Sequence, residues 1–173
     1  MVRSALWPAL AIAAILAAMS APAGAAEWRL VTVKPDGFSI DFSGDIAIEA
    51  TVLDEKTLQA LVRSTMYMQD GGNTAYVAAA TLSKGVLNFQ SGVDQTMATY
   101  KCGHTDSDDS KTLADGTINR VIYANHCLDG NATVAGSFFV RGQWFYQVIY
   151  LIPDGADTAD AEHFLHSFKL LPP

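Results

Sequence analysis

Between its only two cysteines the chain carries a concentration of reactive side chains. His104 follows Cys102 by two residues, His126 stands directly before Cys127, and the acidic run Asp106-Ser107-Asp108-Asp109 lies between them. Thiolates, imidazoles and carboxylates bind metals, exchange disulfides or move protons, so each chemistry has to be weighed. Tetrahedral zinc wants four ligands converging from one side, usually as two pairs. On a strand Cys102 and His104 would share a face, whereas His126 and Cys127 would point to opposite faces. Three ligands at most can then converge, and C-x-H with H-C matches no standard zinc spacing. Calcium fails on a similar test. An EF-hand loop begun at Asp106 places Lys111 where the sharp turn needs glycine and Thr117 where the bidentate glutamate belongs. No metal and no cofactor is therefore assigned. His104, Asp106, Asp108, Asp109 and His126 are carried forward as candidate binding residues on a polar loop, and no residue is assigned as catalytic.

A disulfide between Cys102 and Cys127 is the expected use of the two thiols. The first residues point to an oxidising compartment: Arg3 is the only charge before Glu27, residues 5–19 are apolar apart from Trp7-Pro8, and small residues follow from Ser20 to Ala26. That pattern is what signal peptidase reads, and cleavage is expected near Ala23, Ala25 or Ala26. The apolar stretch is shorter than the roughly 20 residues a membrane span needs. The chain thus divides into a signal peptide, residues 1–26, and one domain, residues 27–173, with no stable membrane anchor after cleavage and a periplasmic or secreted destination. Disulfides persist in such places, and C-x-x-C, the usual redox-catalytic spacing, is missing. Closing a loop of this length contributes about 3 to 4 kcal/mol in the chain-entropy model.

The formal charge is -7, and loss of Arg3 makes the exported form more acidic still. Such a surface repels phosphate backbones and anionic headgroups, so nucleic acid is excluded as the expected partner. The nucleophile-elbow, P-loop, dinucleotide-fold and H-E-x-x-H signatures are all missing.

The elements that must position these residues are legible from periodicity. Trp28 to Val33 alternates and stops at Lys34-Pro35-Asp36-Gly37, after which Phe38, Ile40 and Phe42 share a face. Ser43-Gly44-Asp45 reads as a hairpin turn leading into a return strand, Ile46 to Val52. Leu58, Leu61 and Val62 permit a helical turn, but Thr65–Gln69, Asp70-Gly71-Gly72-Asn73 and Thr74–Leu82 are better read as a hairpin. Val86, Phe89, Val93, Met97 and Tyr100 recur at helical steps, predicting a helix over 86–100. Thr105 to Gly116 is expected as a polar excursion. Strands follow at 117–127, 133–140 and 144–152, the last apolar on both faces and so covered on both. After Pro153-Asp154-Gly155, Asp157 or Thr158 can cap a closing helix with Ala161, Phe164, Leu165 and Phe168 inward. His163 and His166 are expected on its exposed face. The predicted architecture is α+β: an α/β/α sandwich with a central antiparallel sheet flanked by helices.

Two segments carry a family resemblance. Asp36-Gly37-Phe38-Ser39-Ile40-Asp41-Phe42-Ser43-Gly44 and Ala161-Glu162-His163-Phe164-Leu165-His166-Ser167-Phe168-Lys169-Leu170 resemble the bracketing segments of small exported bacterial proteins with a PsbP-like fold, a group that includes DcrB-like periplasmic lipoproteins. The resemblance implies an antiparallel sheet between helices and carries no single function, and the lipid-attachment cysteine of the lipoprotein members is missing. The expected role is a non-catalytic binding or accessory module whose partner is an unknown envelope protein or a small ligand. The alternative is a periplasmic hydrolase or metal-assisted enzyme using His104, His126 and the nearby aspartates.

Overall fold

A computed structural model of the chain describes residues 27–51, 59–102 and 105–172. The expected signal peptide, Leu58 of the alternative helical turn, and His104 lie outside these residues.

The described residues form two antiparallel sheets and two helices. Strand β1 (Arg29–Val33), a single 3-10 turn (Lys34–Asp36) and β2 (Phe38–Phe42) make a hairpin, joined on the far side of β2 by the short β10 (Lys169–Leu170). The large sheet contains β3 (Ala47–Ala50), β4 (Leu61–Asp70), β5 (Ala75–Ser83), β6 (Ser107–Thr112), β7 (Ile118–Cys127), β8 (Ala132–Arg141) and β9 (Trp144–Pro153), in the order β3-β4-β5-β9-β8-β7-β6. Helix α1 (Phe89–Thr99) covers one face. Helix α2 (Ala159–Ser167) covers the other together with the small sheet. The architecture is the predicted α+β one, a large antiparallel sheet flanked by two helices, with the small sheet as an addition that periodicity did not disclose.

Alternation decides which side chains meet which layer. Tyr76, Ala78 and Ala80 of β5 face Tyr150, Val148 and Tyr146 of β9 in register, and all six belong to the core beneath α2 and the small sheet. Val77, Ala79, Phe145 and Ile149 point the other way, into the core beneath α1. Phe38, Ile40 and Phe42 seal the first core from above and are fully buried. Each such side chain contributes about 2 to 3 kcal/mol by leaving water. Gly92 of α1 lies against the Phe145 ring, where an added Cβ would stand 3.3 Å from it, so the glycine that lowers helix propensity also permits close packing.

Three expectations require correction. The segment at Ser43-Gly44-Asp45 is not a hairpin: β2 pairs with β1 and β10, whereas β3 pairs with β4 in the other sheet. The chain changes layers here because β2 must press its apolar face onto the large sheet, while β3 is an exposed edge. The Gln69 amide holds the crossing, accepting from Ser43 N at 2.8 Å and donating to Ser43 Oγ at 2.8 Å. Helix α1 starts at Phe89, three residues later than predicted, since Asn88 Oδ1 caps Ser91 N at 3.1 Å and leaves Val86 fully exposed. A side chain satisfying a free helix-end N–H outweighs one more apolar step. Finally, the polar excursion contains β6, which pairs with β7 although every residue in it is exposed. An edge strand needs backbone partners rather than buried side chains, and its charges deter further pairing.

Candidate functional site

Of the sequence-predicted residues that the structure describes, Cys102, Cys127, His126 and Asp106 lie at the end of the sheet where β7 turns into β8, while Asp108 and Asp109 stand farther along the β6 edge. Cys102 and Cys127 are joined by a disulfide, with S–S 2.07 Å and Cα–Cα 4.1 Å. It ties the chain just beyond α1 to the end of β7. Gly130 N and Asn131 N both donate to Cys127 O, at 3.1 and 3.0 Å, and the two central residues of this turn, Leu128 and Asp129, have φ of 50° and 63°. Lys101 and His126 are left-handed as well, at 52° and 55°. For an L residue that conformation costs about 1 to 2 kcal/mol, least for Asp and His.

His126 lies in an irregular stretch of β7 between Ala124 and Cys127, so plain strand alternation does not govern it. Its ring is nonetheless outward, with the side chain 76% exposed, while Cys127 is buried. Nδ1 sits 2.7 Å from Asp154 Oδ2. The other carboxylate oxygen, Oδ1, receives the Thr133 hydroxyl at 2.9 Å and His126 N at 3.4 Å, and the Thr133 hydroxyl also lies 2.6 Å from Asn125 Oδ1. The Thr133 hydroxyl, aided by His126, holds the Asp154 carboxyl below the usual carboxylate range. Asp154 and Thr133 were missed by sequence reasoning. Asp154 stood out only as a turn residue after a strand and Thr133 only as the first residue of an expected strand.

The aspartates of the acidic run do not converge. Asp106 Oδ2 accepts from Asn125 N at 2.6 Å and so abuts the His126 end of β7. Asp108 makes a two-pronged pair with Arg120, Nε to Oδ1 at 2.7 Å and Nη2 to Oδ2 at 2.5 Å, and Arg120 Nη1 continues to Gln90 Oε1 at 2.8 Å. These bonds hold the Asp108 carboxyl low and tie the β6–β7 edge to α1. Asp109 stands opposite Val121 on β7, on the face away from Asp108 by strand alternation. Among the described residues no group of three or more His, Cys, Asp and Glu side chains is arranged to hold a metal ion.

A second polar cluster was invisible in the sequence. Asp36, read there only as part of a turn, is 1% exposed. Its Oδ1 pairs with Arg63 Nη2, which also donates to Pro35 O, and its Oδ2 accepts from the Tyr67 hydroxyl at 2.6 Å. The Arg63 guanidinium lies 5.1 Å from the centre of the Trp144 ring. Burial, and then the Asp36 carboxylate, push the Tyr67 hydroxyl well above its ordinary range. This cluster pins the 3-10 turn of the small sheet to β4.

The closing helix holds a third group. His163 Nε2 is 3.0 Å from Asp41 Oδ2, and its ring lies 4.3 Å from that of Trp28. Exposed placement was expected for His163 and His166. Both are exposed, and His163 in addition fastens α2 to β2 and to the residue preceding β1.

No helix among the described residues is long and apolar enough to cross a membrane. No protein-family model and no curated protein matches the sequence. Among solved structures, the chain is similar to the solution structure of cyanobacterial PsbP (CyanoP) from Synechocystis sp. PCC 6803, at 11% sequence identity and a TM-score of 0.55, over 88% of this chain and 98% of that one. At this identity the likeness is one of fold: the described residues adopt a PsbP-like fold.

Proposed function

We propose that this protein is an exported, non-catalytic binding or accessory protein, acting in the periplasm or outside the cell on an envelope protein or small ligand. The observation that carries this reading is how the reactive side chains are used. Asp106 caps a backbone N–H, Asp108 is occupied by Arg120, and Asp154 by Thr133 and His126. Each of these bonds stabilises a strand edge or turn. The PsbP-like fold supports the reading as a scaffold on which loops carry recognition. The contact surface is the β7–β8 turn with the neighbouring β6 edge, where His126, Asp106, Asp109 and Leu128 are presented.

A photo-crosslinking amino acid at Asp109, in the native envelope, tests this. One defined adduct, absent when the probe is moved to Glu49 on the opposite edge strand, is the expected result. No adduct, or the same adducts from both positions, defeats it. The alternative, a hydrolase or metal-assisted enzyme using His104, His126 and the nearby aspartates, draws support from the Asp154–His126 pair, which orients the imidazole. It requires that the purified protein hydrolyse an ester or phosphoester and that His126→Ala abolish this.

A further inference from the structure

Among the described residues, the four non-glycine residues with left-handed backbone all flank the two cysteines: Lys101 precedes Cys102, His126 precedes Cys127, and Leu128 and Asp129 follow it. A turn with two left-handed central residues is the ordinary place for Gly, Asn or Asp, and Leu128 is none of these. Such conformations persist only where the surroundings over-determine them. Here the turn's own bonds (Gly130 N and Asn131 N to Cys127 O, Asn131 Nδ2 to Leu128 O at 3.1 Å) and the His126–Asp154 pair act together with three restraints that run to the C-terminal end of α1: the Cys102–Cys127 bond, Leu128 N donating to Tyr100 O at 2.8 Å, and the Lys101–Asp129 ion pair at 3.1 Å. Of the three that reach α1 the ion pair is exposed and weak, which leaves the disulfide and one hydrogen bond to tie the turn to the helix end. Tyr100, just past the helix, is buried in the core beneath α1.

We propose that the Cys102–Cys127 bond is a thiol-sensitive clamp that holds the C-terminal end of α1 on the sheet against a strained turn. A dithiol opens it. One thiolate of the dithiol attacks Sγ of Cys102, the less buried of the two cysteines, and Cys127 leaves as a thiolate that takes up a proton. The second thiol of the dithiol then displaces Cys102 from the mixed disulfide, and Cys102 is protonated in turn. The dithiol becomes a disulfide, its two electrons having reduced the protein bond. With the bond open, residues 126–129 relax from left-handed backbone, the Leu128–Tyr100 hydrogen bond breaks, and the end of α1 lifts from its core.

Purified oxidised protein is equilibrated across a series of dithiothreitol redox buffers. The disulfide fraction is read by alkylation and mass spectrometry, and backbone hydrogen exchange is read in the oxidised and reduced forms. On reduction, amides around Met97 to Tyr100 are expected to lose protection while β9 keeps it. Leu128→Gly, which removes the strain, moves the equilibrium about tenfold toward the disulfide. Leu113→Gly serves as the control: Leu113 and Leu128 are each 37% exposed, and Leu113 is not left-handed, so no such shift is expected from it. The proposal is overturned if α1 stays protected on reduction, if β9 loses protection together with it, or if Leu128→Gly shifts the equilibrium no more than Leu113→Gly.

Discussion

The Tyr67 hydroxyl donates to Asp36 Oδ2 at 2.6 Å beneath the small sheet, and Arg63 pairs with the other oxygen of the same carboxylate. A buried acid is thereby satisfied from two sides by one strand, β4, while it anchors a turn belonging to a different sheet.

Removing either partner leaves a buried polar group short of a bond. Asp36→Asn is expected to destabilise the protein by about 2 to 4 kcal/mol, below the upper end for a broken buried pair since Arg63 is partly exposed. Tyr67→Phe is expected to cost about 1 to 2 kcal/mol. Urea unfolding followed by tryptophan fluorescence measures both, and equal values for Asp36→Asn and a surface substitution such as Asp70→Asn would contradict this account.

Asp154 predicts an acid-side effect. Its folded pKa lies below the ordinary carboxylate value, so its contribution is fully present above the unfolded value of about 3.9 and is lost as pH falls through the folded value. Asp154→Asn should lower stability at neutral pH and flatten the decline below about pH 4. Melting temperatures between pH 7 and pH 3 check it; parallel curves for the two proteins would show that Asp154 is not responsible.

At Gly92 helix propensity and packing oppose each other. Alanine in place of glycine favours a helix by about 1 kcal/mol, but its Cβ would lie 3.3 Å from the ring of Phe145, a buried residue. Overpacking costs about 1 to 3 kcal/mol, so Gly92→Ala is expected to be net destabilising. The same substitution made together with Phe145→Leu, where the ring is gone, should cost less than it does alone. Chemical denaturation of the four proteins of this cycle decides.

The disulfide should contribute less than its loop length suggests. Chain entropy alone gives about 3 to 4 kcal/mol, and the left-handed turn beside it subtracts about 1 to 2. The double replacement Cys102→Ser with Cys127→Ser is therefore expected to lower unfolding free energy by about 1 to 3 kcal/mol. A loss at or above the full entropic value would mean that the turn stores no strain.

Much of the large sheet was legible because its strands are long and apolar at regular intervals. Trp144 to Ile152 declared itself covered on both faces, and the two faces it displayed are those found in the two cores. The disulfide was legible from cysteine number and compartment. The site at the β7–β8 turn was half legible. His126 and Asp106 stood out as residue types, but their partners Asp154, Thr133 and Asn125 come from other strand ends or carry no signature of their own.

Taken alone, the order of residues determined which side chains seek burial, where the chain turns, and which two sulfurs can join, because those follow from local chemistry and from periods of two and 3.6. Tertiary structure decided which strand supplies each backbone partner: β2 to the small sheet, β3 and the wholly exposed β6 to the edges of the large one. Proline apart, every residue type offers the same backbone donor and acceptor, so strand pairing cannot be read from single side chains. It is settled only when the apolar faces of both sheets and both helices are packed together, and the same packing brings Asp36 to Tyr67, His126 to Asp154, and Leu128 to the end of α1.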